Sequence, residues 1–241
     1  MLAASTLPHQ ADQSRQPRAA KALRRLLRPK PVFAMHNIHS PQRSALETYI
    51  AREFENAYGA TVTQFLPQLF SMQCQGRISA VVGTRAASSG DLFVERYLDE
   101  PIERAISRVF PATVARRDVV EIGNLVATHP GACQLLFVLH AATFDKAGFK
   151  WAAFAATEQV RAIMHKLNVV TFTVGSADPK RLRDESAQWG RYYDSNPTVQ
   201  VVDGAATMAQ LRRSPLSATA LAFFSDTIAE LARSAGTGTV Q

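Results

Sequence analysis

Strand-like and helix-like segments alternate along the chain from residue 31, and this order limits the possible folds more than any other feature of the sequence. Short runs of β-branched and apolar residues between turn signals predict strands at residues 31–38, 77–85, 118–128, 150–157, 169–175 and 197–205. Apolar positions at helical spacing predict helices at residues 41–58, 92–110, 131–144, 158–168 and 217–234. This order is typical of an α/β fold, in which helices cover both faces of a central sheet.

Capping residues indicate where two of these helices begin and end. Ser40 and Pro41 predict the start of the first helix, as its N-cap and first helical residue. Gly59 predicts the end of the same helix, because glycine tolerates the left-handed conformation that often terminates one. Thr157 is the predicted N-cap of the helix that starts at residue 158.

Two stretches between these elements lack a clear periodicity. The sequence FLPQLF at 65–70 and the polar stretch 178–196 are both predicted to be loops. Neither an internal repeat nor a Gly/Ser linker follows residue 31, and 46% hydrophobic content suffices for a full core. We therefore expect residues 31–241 to form a single domain.

Positive charge is concentrated at the N-terminus. The formal net charge is +7, and residues 1–30 contain seven basic residues against one acidic residue, Asp12, so they hold six of those charges. The nearly neutral remainder predicts no nucleic-acid partner, because that affinity rests on clustered phosphate contacts. Residues 1–30 have little to bury and are predicted to be a disordered basic tail. A weak contact of this tail with an anionic membrane surface is the functional alternative.

Cysteine content and hydropathy favour the cytoplasm. Cys74 and Cys133 do not make a disulfide framework and suit a reducing compartment. The longest apolar stretch, 131–144, is too short to cross a bilayer and is interrupted by Gln134 and His140. The tail lacks the apolar core that follows the basic residues of a secretory signal. We therefore expect a cytoplasmic protein.

Three residues interrupt the otherwise apolar strand 118–128. Simple alternation would put Glu121 and Asn124 on opposite faces, but a one-residue bulge at Gly123 would put both on one face. Such a bulge would also splay this strand from its neighbour and open a slot lined with free backbone groups. The structural alternative is that Glu121 pairs with a buried arginine such as Arg85.

The turn after this strand, THPGAC at 128–133, leads directly into a helix. The N–H groups at a helix start converge on one point, where the helix dipole adds positive potential, so a pyrophosphate could bind there. Many such turns contain a glycine and bind nothing, and the signal is weak by itself.

Five blocks of the sequence resemble the successive blocks of the thermostable hemolysin family: FLPQL (65–69), VVGTRAA (81–87), LFVERYLDEPIE (92–103), VVEIGNLVAT (119–128) and WGRYYDSNPTV (189–199). EIGNL and LFVERYLDEPIE are distinctive, whereas VVGTR is generic. That family is similar in layout to GNAT acyltransferases, and in particular to acyl-homoserine-lactone synthases. The resemblance implies a GNAT-like mixed central sheet with a thioester-binding slot beside strand 118–128.

The resemblance also implies a reaction, in which an amine attacks the thioester of an acyl-CoA or an acyl carrier protein. Glu121 is the expected base, a backbone N–H near Asn124 to Val126 the oxyanion donor, and Tyr192 or Tyr193 the acid for the leaving thiolate. Both tyrosines have a structural alternative, packing beneath the sheet.

Further residues are implied on each side of that reaction. The residues expected to contact the donor are Leu125, Val126, Thr128, Gly131, Ala132 and Cys133. Those expected to shape the acceptor pocket are Arg85, Glu95, Asn124 and Trp189. The first, second and last of these could equally be structural. The usual GNAT phosphate motif begins with Gln or Arg and ends with Gly or Ala. Thr128 and Cys133 stand at those positions here, which leaves the donor open between CoA and a carrier protein.

Other signals in the sequence are weaker. His36 and His39 have His-x-x-His spacing but no nearby acidic or cysteine ligand, so we expect no metal. Cys133 lacks a His–acid partner that would make it a nucleophile. Two other functions stay open, a membrane-active hemolytic protein, as the family name suggests, and a non-catalytic GNAT-like binding module.

Overall fold

The computed structural model describes residues 30–128 and 130–237, in which seven strands form one mixed sheet. The strands are β1 (Val32–His36), β2 (Gln68–Cys74), β3 (Arg77–Ala86), β4 (Val119–Ala127), β5 (Trp151–Ala156), β6 (Phe172–Ser176) and β7 (Thr198–Asp203). Their order across the sheet is β1-β2-β3-β4-β5-β7-β6. Only β4 and β5 pair in parallel among these strands, and every other neighbouring pair is antiparallel.

Helices cover both faces of this sheet, as the sequence predicts. They are α1 (Arg43–Tyr58), α2 (Ile102–Val109), α3 (Pro130–Lys146), α4 (Glu158–Lys166), α5 (Gly204–Arg213), α6 (Pro215–Phe223) and α7 (Ser225–Thr237). Short 3₁₀ segments lie at Ala87–Ser89, Val94–Tyr97, Arg116–Asp118, Pro179–Trp189 and Tyr192–Ser195. None of the helices in the described part of the chain is long and apolar enough to cross a membrane.

The period-two alternation of the strands divides the core between the two faces. Leu69 and Val81 point towards α1, whereas their neighbours Phe70 and Val82 point towards α3. The α3 side holds the larger cluster, to which α4, α5, α6 and α7 also contribute. The sheet is therefore the middle of three layers, with α1 and α2 on one side and α3 on the other.

The predicted start of the first helix is wrong by a few residues. Helix α1 begins at Arg43, and the side chain of Ser40 accepts a hydrogen bond from the backbone N–H of Asn37 instead of capping the helix. The predicted ends are confirmed elsewhere. Gly59 terminates α1 with a φ of 66°, and the hydroxyl of Thr157 accepts from the backbone N–H of Val160.

Four segments differ more from their predictions. The predicted loop at 65–70 enters β2, a strand buried between β1 and β3, and Pro67 immediately before it obscures the strand pattern. Helix α5 was not predicted, and Phe224 divides the predicted final helix into α6 and α7. Only the second half of the predicted helix 92–110 is α-helical. The predicted disorder of the basic tail lies outside the described residues, apart from Lys30.

Candidate active site

Strand β4 contains the bulge that its sequence predicts. Val81 pairs with Val126 and Gly83 pairs with Gly123, so β4 carries one residue more than β3 over this stretch. The residue in the left-handed conformation is Asn124, with a φ of 49°, rather than the glycine beside it. Asparagine is among the residues that tolerate this conformation best.

Beyond Glu121 the central strands separate. β4 pairs with β5 only through Val119–Glu121 and Trp151–Ala153, and no pairing continues between the described residues after that point. A cavity of about 430 Å³ occupies the gap, and both Gly123 of β4 and Phe154 of β5 line it. The cavity therefore lies where the sheet opens, at the position that the bulge predicts for a slot.

The cavity connects the two faces of the sheet. On the α1 side its walls include Tyr58, Phe93 and Trp189, and on the α3 side they include Leu136 and Met164. These walls are largely aromatic and aliphatic, which is typical of pockets that hold small molecules.

Glu121 is buried at the wall of this cavity, with only 2% of its surface exposed. Its carboxylate accepts hydrogen bonds from the backbone N–H groups of Val94, at 2.7 Å, and Phe93, at 3.1 Å. Burial raises the pKa of Glu121, although these two hydrogen bonds oppose the rise. A carboxylate with a raised pKa, fixed beside a cavity, can accept a proton more readily than an exposed one.

Arg85 lies opposite Glu121 in the β3–β4 register and also lines the cavity. Its guanidinium donates a hydrogen bond to the carbonyl oxygen of Asp91 at 2.8 Å and makes no other one to the described residues. Arg85 is therefore a nearby charge that lowers the pKa of Glu121, and the alternative of a direct Arg85–Glu121 ion pair does not occur.

The contacts of Glu95 are structural, which is one of the two interpretations open for this residue. Its carboxylate accepts from the guanidinium of Arg116 at 2.9 Å and from the backbone N–H groups of Leu92 and Ile102, both at 2.8 Å. Burial alone would raise its pKa, but these hydrogen bonds outweigh it and lower the pKa. Glu95 is not among the residues that line the cavity, and it fixes the loop that presents the backbone N–H groups to Glu121.

An aromatic cluster forms the wall on the α1 side. The ring of Tyr192 lies 5.3 Å from that of Tyr58 and 5.4 Å from that of Trp189, measured between centroids. The hydroxyl of Tyr192 lies 3.5 Å from the carbonyl oxygen of Ala155 on β5. Burial raises the pKa of Tyr192 well above its usual range. Of the predicted tyrosines, Tyr192 is thus the one beside the opening in the sheet.

Tyr193 lies behind this wall. Its hydroxyl is 2.6 Å from the hydroxyl of Tyr97, and it is not among the residues that line the cavity. Tyr97 does line the cavity, although no pattern in the sequence predicts this role. The second predicted tyrosine therefore supports a lining residue instead of facing the cavity itself.

The side chain of Asn124 ties a neighbouring segment to the bulge. Its Oδ1 accepts from the backbone N–H of Leu66 at 2.9 Å. The guanidinium of buried Arg43 holds the same segment from the other side, donating to the carbonyl oxygens of Leu66 at 2.8 Å and Pro67 at 2.9 Å. Leu66 is thereby held against Gly83 and Gly123. Asn124 reaches the predicted pocket, but its amide oxygen is already in use.

The predicted donor-contact residues are not all brought together. Leu125 lines the cavity, whereas Val126 is packed in the core beneath α1. The backbone N–H of Thr128 donates to the carbonyl oxygen of Ser79 at 2.9 Å, and the Thr128 hydroxyl lies 3.2 Å from that oxygen.

Gly131, Ala132 and Cys133 form the first turn of α3, outside the cavity lining. Ala132 and Cys133 are buried, and burial raises the pKa of the Cys133 thiol to about 11. A thiol with such a pKa is protonated at neutral pH and is a poor nucleophile.

Sequence reasoning missed several lining residues. Phe93 and Val94 act through backbone N–H groups, which no residue type reveals, although both lie in the distinctive block LFVERYLDEPIE. His140, inside a helix that reads as ordinary core, also lines the cavity. Within the described ranges there is no cluster of three or more candidate metal ligands, and His36 instead lies 2.9 Å from the hydroxyl of Ser71.

Solved structures similar to this fold include several acyl-transferring synthases. The acyl-homoserine-lactone synthase LasI is 8% identical, with a TM-score of 0.51 over 72% of this chain and 90% of its own. FeeM, an N-acyl amino acid synthase from uncultured soil microbes, is 10% identical, with a TM-score of 0.51 over 75% and 94%. BjaI, a CoA-dependent acyl-homoserine-lactone synthase, is 8% identical, with a TM-score of 0.50 over 79% and 98%. At these identities the likeness establishes a GNAT-like fold.

Sequence comparison is decisive for the family. No curated protein matches the sequence significantly. The family described as Thermostable hemolysin matches residues 36–208, from the end of β1 to the middle of α5, which is more than half of the chain. The matched region contains Glu121, the bulge and the aromatic cluster. The chain therefore belongs to the thermostable hemolysin family.

Proposed function

We propose that this protein is an N-acyltransferase that moves an acyl group from a CoA or carrier-protein thioester to a small-molecule amine. The observation that carries the proposal is the buried carboxylate of Glu121 beside a cavity that opens between β4 and β5. The similar structures named for acyl transfer support the same class of reaction. A position in the cytoplasm, where both donors occur, is part of the proposal.

Glu121 acts as the general base. The amine nitrogen attacks the thioester carbonyl carbon, the carbon–sulfur bond breaks, and the proton lost by the amine passes to the Glu121 carboxylate. The backbone N–H groups of Phe93 and Val94 hold this carboxylate in one orientation, so little reorganisation is needed when the amine arrives.

The developing oxyanion is stabilised by a backbone N–H in the bulged stretch Asn124–Val126. Because β4 has no partner strand on the β5 side here, its polar backbone groups face the cavity rather than a ladder. Tyr192 stabilises the leaving sulfur as a hydrogen-bond donor. Its raised pKa makes full proton transfer to a thiolate unfavourable, because thiols are much stronger acids.

The acceptor binds on the aromatic side of the cavity, between Arg85 and Trp189. Among the described residues the guanidinium of Arg85 bonds a single backbone carbonyl. Its other N–H groups are therefore available to hydrogen-bond a ligand. An amine that also carries a negative group suits this position.

Mass spectrometry of the purified protein with a panel of thioesters and amines tests this function. Each donor chain is supplied both as acyl-CoA and as acyl carrier protein, since Thr128 and Cys133 leave the donor open. Formation of an N-acyl amide that requires the protein supports the proposal. Absence of amide with every combination, while the protein is folded, contradicts it and leaves the binding-module alternative.

A further inference from the structure

The cavity extends from the reaction centre into an arm on the α3 side of the sheet. Side chains of β4, β5, α3 and α4 line this arm, among them Ile122, Phe137, Phe154 and Met164. Such a lining suits the apolar part of an acyl chain, because its burial is driven by the hydrophobic effect. One lining residue of α3, His140, does not fit that description.

His140 is almost completely buried, with 2% of its surface exposed. Its ring lies 5.6 Å from that of Phe70 and 4.5 Å from that of Phe144, between centroids. Burial lowers the pKa of His140 to about 3, so its imidazole is neutral at physiological pH. A neutral imidazole keeps one N–H donor and one nitrogen acceptor.

The Nε2 atom of His140 has no hydrogen-bond partner among the described residues. Among the described residues, two other buried side-chain atoms also lack a partner, the hydroxyls of Thr84 and Thr143. Neither threonine lines the cavity, whereas His140 does. Its Nε2 atom is itself closed off, so the ring must turn towards the cavity before a ligand can reach it. Because an unpaired buried polar group costs stability, His140 calls for an explanation that an apolar side chain would not.

We propose that His140 is a specificity-determining residue that hydrogen-bonds a hydroxyl group carried on the acyl chain, so that the preferred donors are hydroxyacyl thioesters. This inference rests on the proposed function, since it assigns the arm to the donor's acyl chain. A hydroxyl can both donate and accept, and it therefore satisfies either tautomer of the imidazole. A keto oxygen can only accept and would require one tautomer.

The hydroxyl that meets His140 should stand some distance from the thioester along the acyl chain. Glu121 belongs to the side of the sheet that faces Phe93, whereas His140 projects from α3 on the other side. The chain must pass through the gap between β4 and β5 before it reaches the imidazole. We therefore expect a hydroxyl several carbons from the carbonyl to be preferred over one beside it.

Competition between donors tests this inference. Acyl-CoA and acyl-carrier-protein donors of one chain length are compared, unsubstituted and with the hydroxyl at successive carbons, as ratios of kcat/KM. We expect one position to be preferred over the unsubstituted chain by about tenfold or more, the scale of one buried hydrogen bond. In His140→Phe the preference should disappear, and in His140→Gln it should be partly restored. An equal kcat/KM for all positions in the unmodified protein would overturn the proposal.

Thr143→Val is the matched control. This substitution removes a buried hydroxyl of the same helix that also lacks a hydrogen-bond partner among the described residues. Thr143 does not line the cavity, so the preference for hydroxyacyl donors should be kept. Loss of the preference in both variants would show a general effect on the core and would overturn the role of His140.

A binding experiment separates this inference from the proposed function. Free hydroxy fatty acids and their unsubstituted counterparts are titrated against the protein, with the fluorescence of the cavity-lining Trp189 and the imidazole nitrogen NMR shifts of His140 as readouts. Hydroxyl-dependent binding without acyl transfer would refute the enzyme but keep the His140 contact. Acyl transfer without any response of the His140 nitrogens would refute the contact alone.

Discussion

Glu121 shows how strongly the surroundings of one side chain decide its chemistry. Two glutamates lie near each other in this site, and both accept hydrogen bonds from backbone N–H groups. Glu95 has a guanidinium as a further partner and a lowered pKa, whereas Glu121 contacts no cation of the described residues directly and has a raised pKa. Glu95 is therefore suited to holding a loop, and Glu121 is suited to accepting a proton.

Replacement of the base is the first test at this scale. Glu121→Gln keeps the shape but removes proton acceptance, so turnover should fall by about 10²–10⁴-fold. One backbone N–H, of Phe93 or Val94, loses its acceptor, which costs about 1–3 kcal/mol at most. Because Arg85 does not pair with Glu121, the larger penalty of a stranded buried cation should not appear. Turnover and melting temperature are measured on the same sample.

Glu95→Gln provides the contrast to that experiment. It breaks the contact with Arg116 and should lower the melting temperature clearly, with activity lost only as the loop loosens. A stable Glu121→Gln protein with normal turnover would show that Glu121 is not the base.

The raised pKa of Glu121 predicts the pH dependence. Activity should rise with pH as this carboxyl loses its proton, with an apparent pKa above the ordinary value of 4.5. Its contribution to stability has the opposite sign: it is present below the unfolded pKa and is lost as pH rises through the folded pKa. The pH profile of kcat/KM is measured with acceptors of different amine pKa. A limb that shifts with the acceptor belongs to the amine, and a profile without a fixed limb would contradict this prediction.

At the scale of elements, the bulge depends on the absence of a Cβ atom at two glycines, because Leu66 and Asn124 pack into that space. A Cβ atom at Gly83 would lie 2.9 Å from Oδ1 of Asn124 and 3.0 Å from Cβ of Leu66, whereas one at Gly123 would meet only the end of the Leu66 side chain, at 3.0 Å from Cδ1. The end of a flexible side chain moves more easily than its base.

Alanine substitutions of these glycines should therefore rank in a definite order. Gly83→Ala should destabilise the protein by about 1–3 kcal/mol through overpacking, and Gly123→Ala by less. Urea unfolding of both variants gives the comparison, with the slope as a check that the same transition is measured. Equal losses, or a larger loss for Gly123→Ala, would contradict the packing described here.

The strands also show which features of the fold and the site could be predicted from the sequence. The bulge was predictable because a glutamate and an asparagine interrupt an apolar strand, and a fixed side-chain period leaves few ways to bury both. β2 was missed because Pro67 and polar residues mask a strand whose burial comes from both neighbours. The backbone N–H groups that hold Glu121 could not be predicted, since they depend on tertiary contacts of Phe93 and Val94.

For the whole molecule, the basic N-terminal residues should contribute little to folding. They carry six of the seven net charges. Of these residues the structure describes Lys30, whose ammonium lies 5.4 Å from the ring centre of Phe223. An exposed cation–π contact of this kind is worth about 0.5–1 kcal/mol. Removal of residues 1–30 should leave a single cooperative thermal transition. Loss of cooperativity would assign these residues to the fold, and a second truncation that keeps Lys30 would isolate its contact.

The name of the family raises the question of direct lysis. Outside residues 1–30 the net charge is close to zero, and no helix of the described residues could span a bilayer. If acyl transfer is the activity, as we propose, pure protein without detergent or substrates should release no dye from liposomes at micromolar concentration. Release under those conditions would favour the membrane-active alternative. Lysis that needs both substrates would instead identify the acylated product as the lytic agent.

The early end of the β4–β5 ladder makes the sheet two half-sheets, β1–β4 and β5–β7–β6, joined by three residue pairs. A long acyl chain bound between them, as we propose, would fill this gap and complete the core that the missing pairs leave open. The bound donor would then also stabilise the fold, because a ligand that binds only the folded protein raises its stability by mass action. On this proposal the fraction of copies in which the gap is filled follows the concentration of donor.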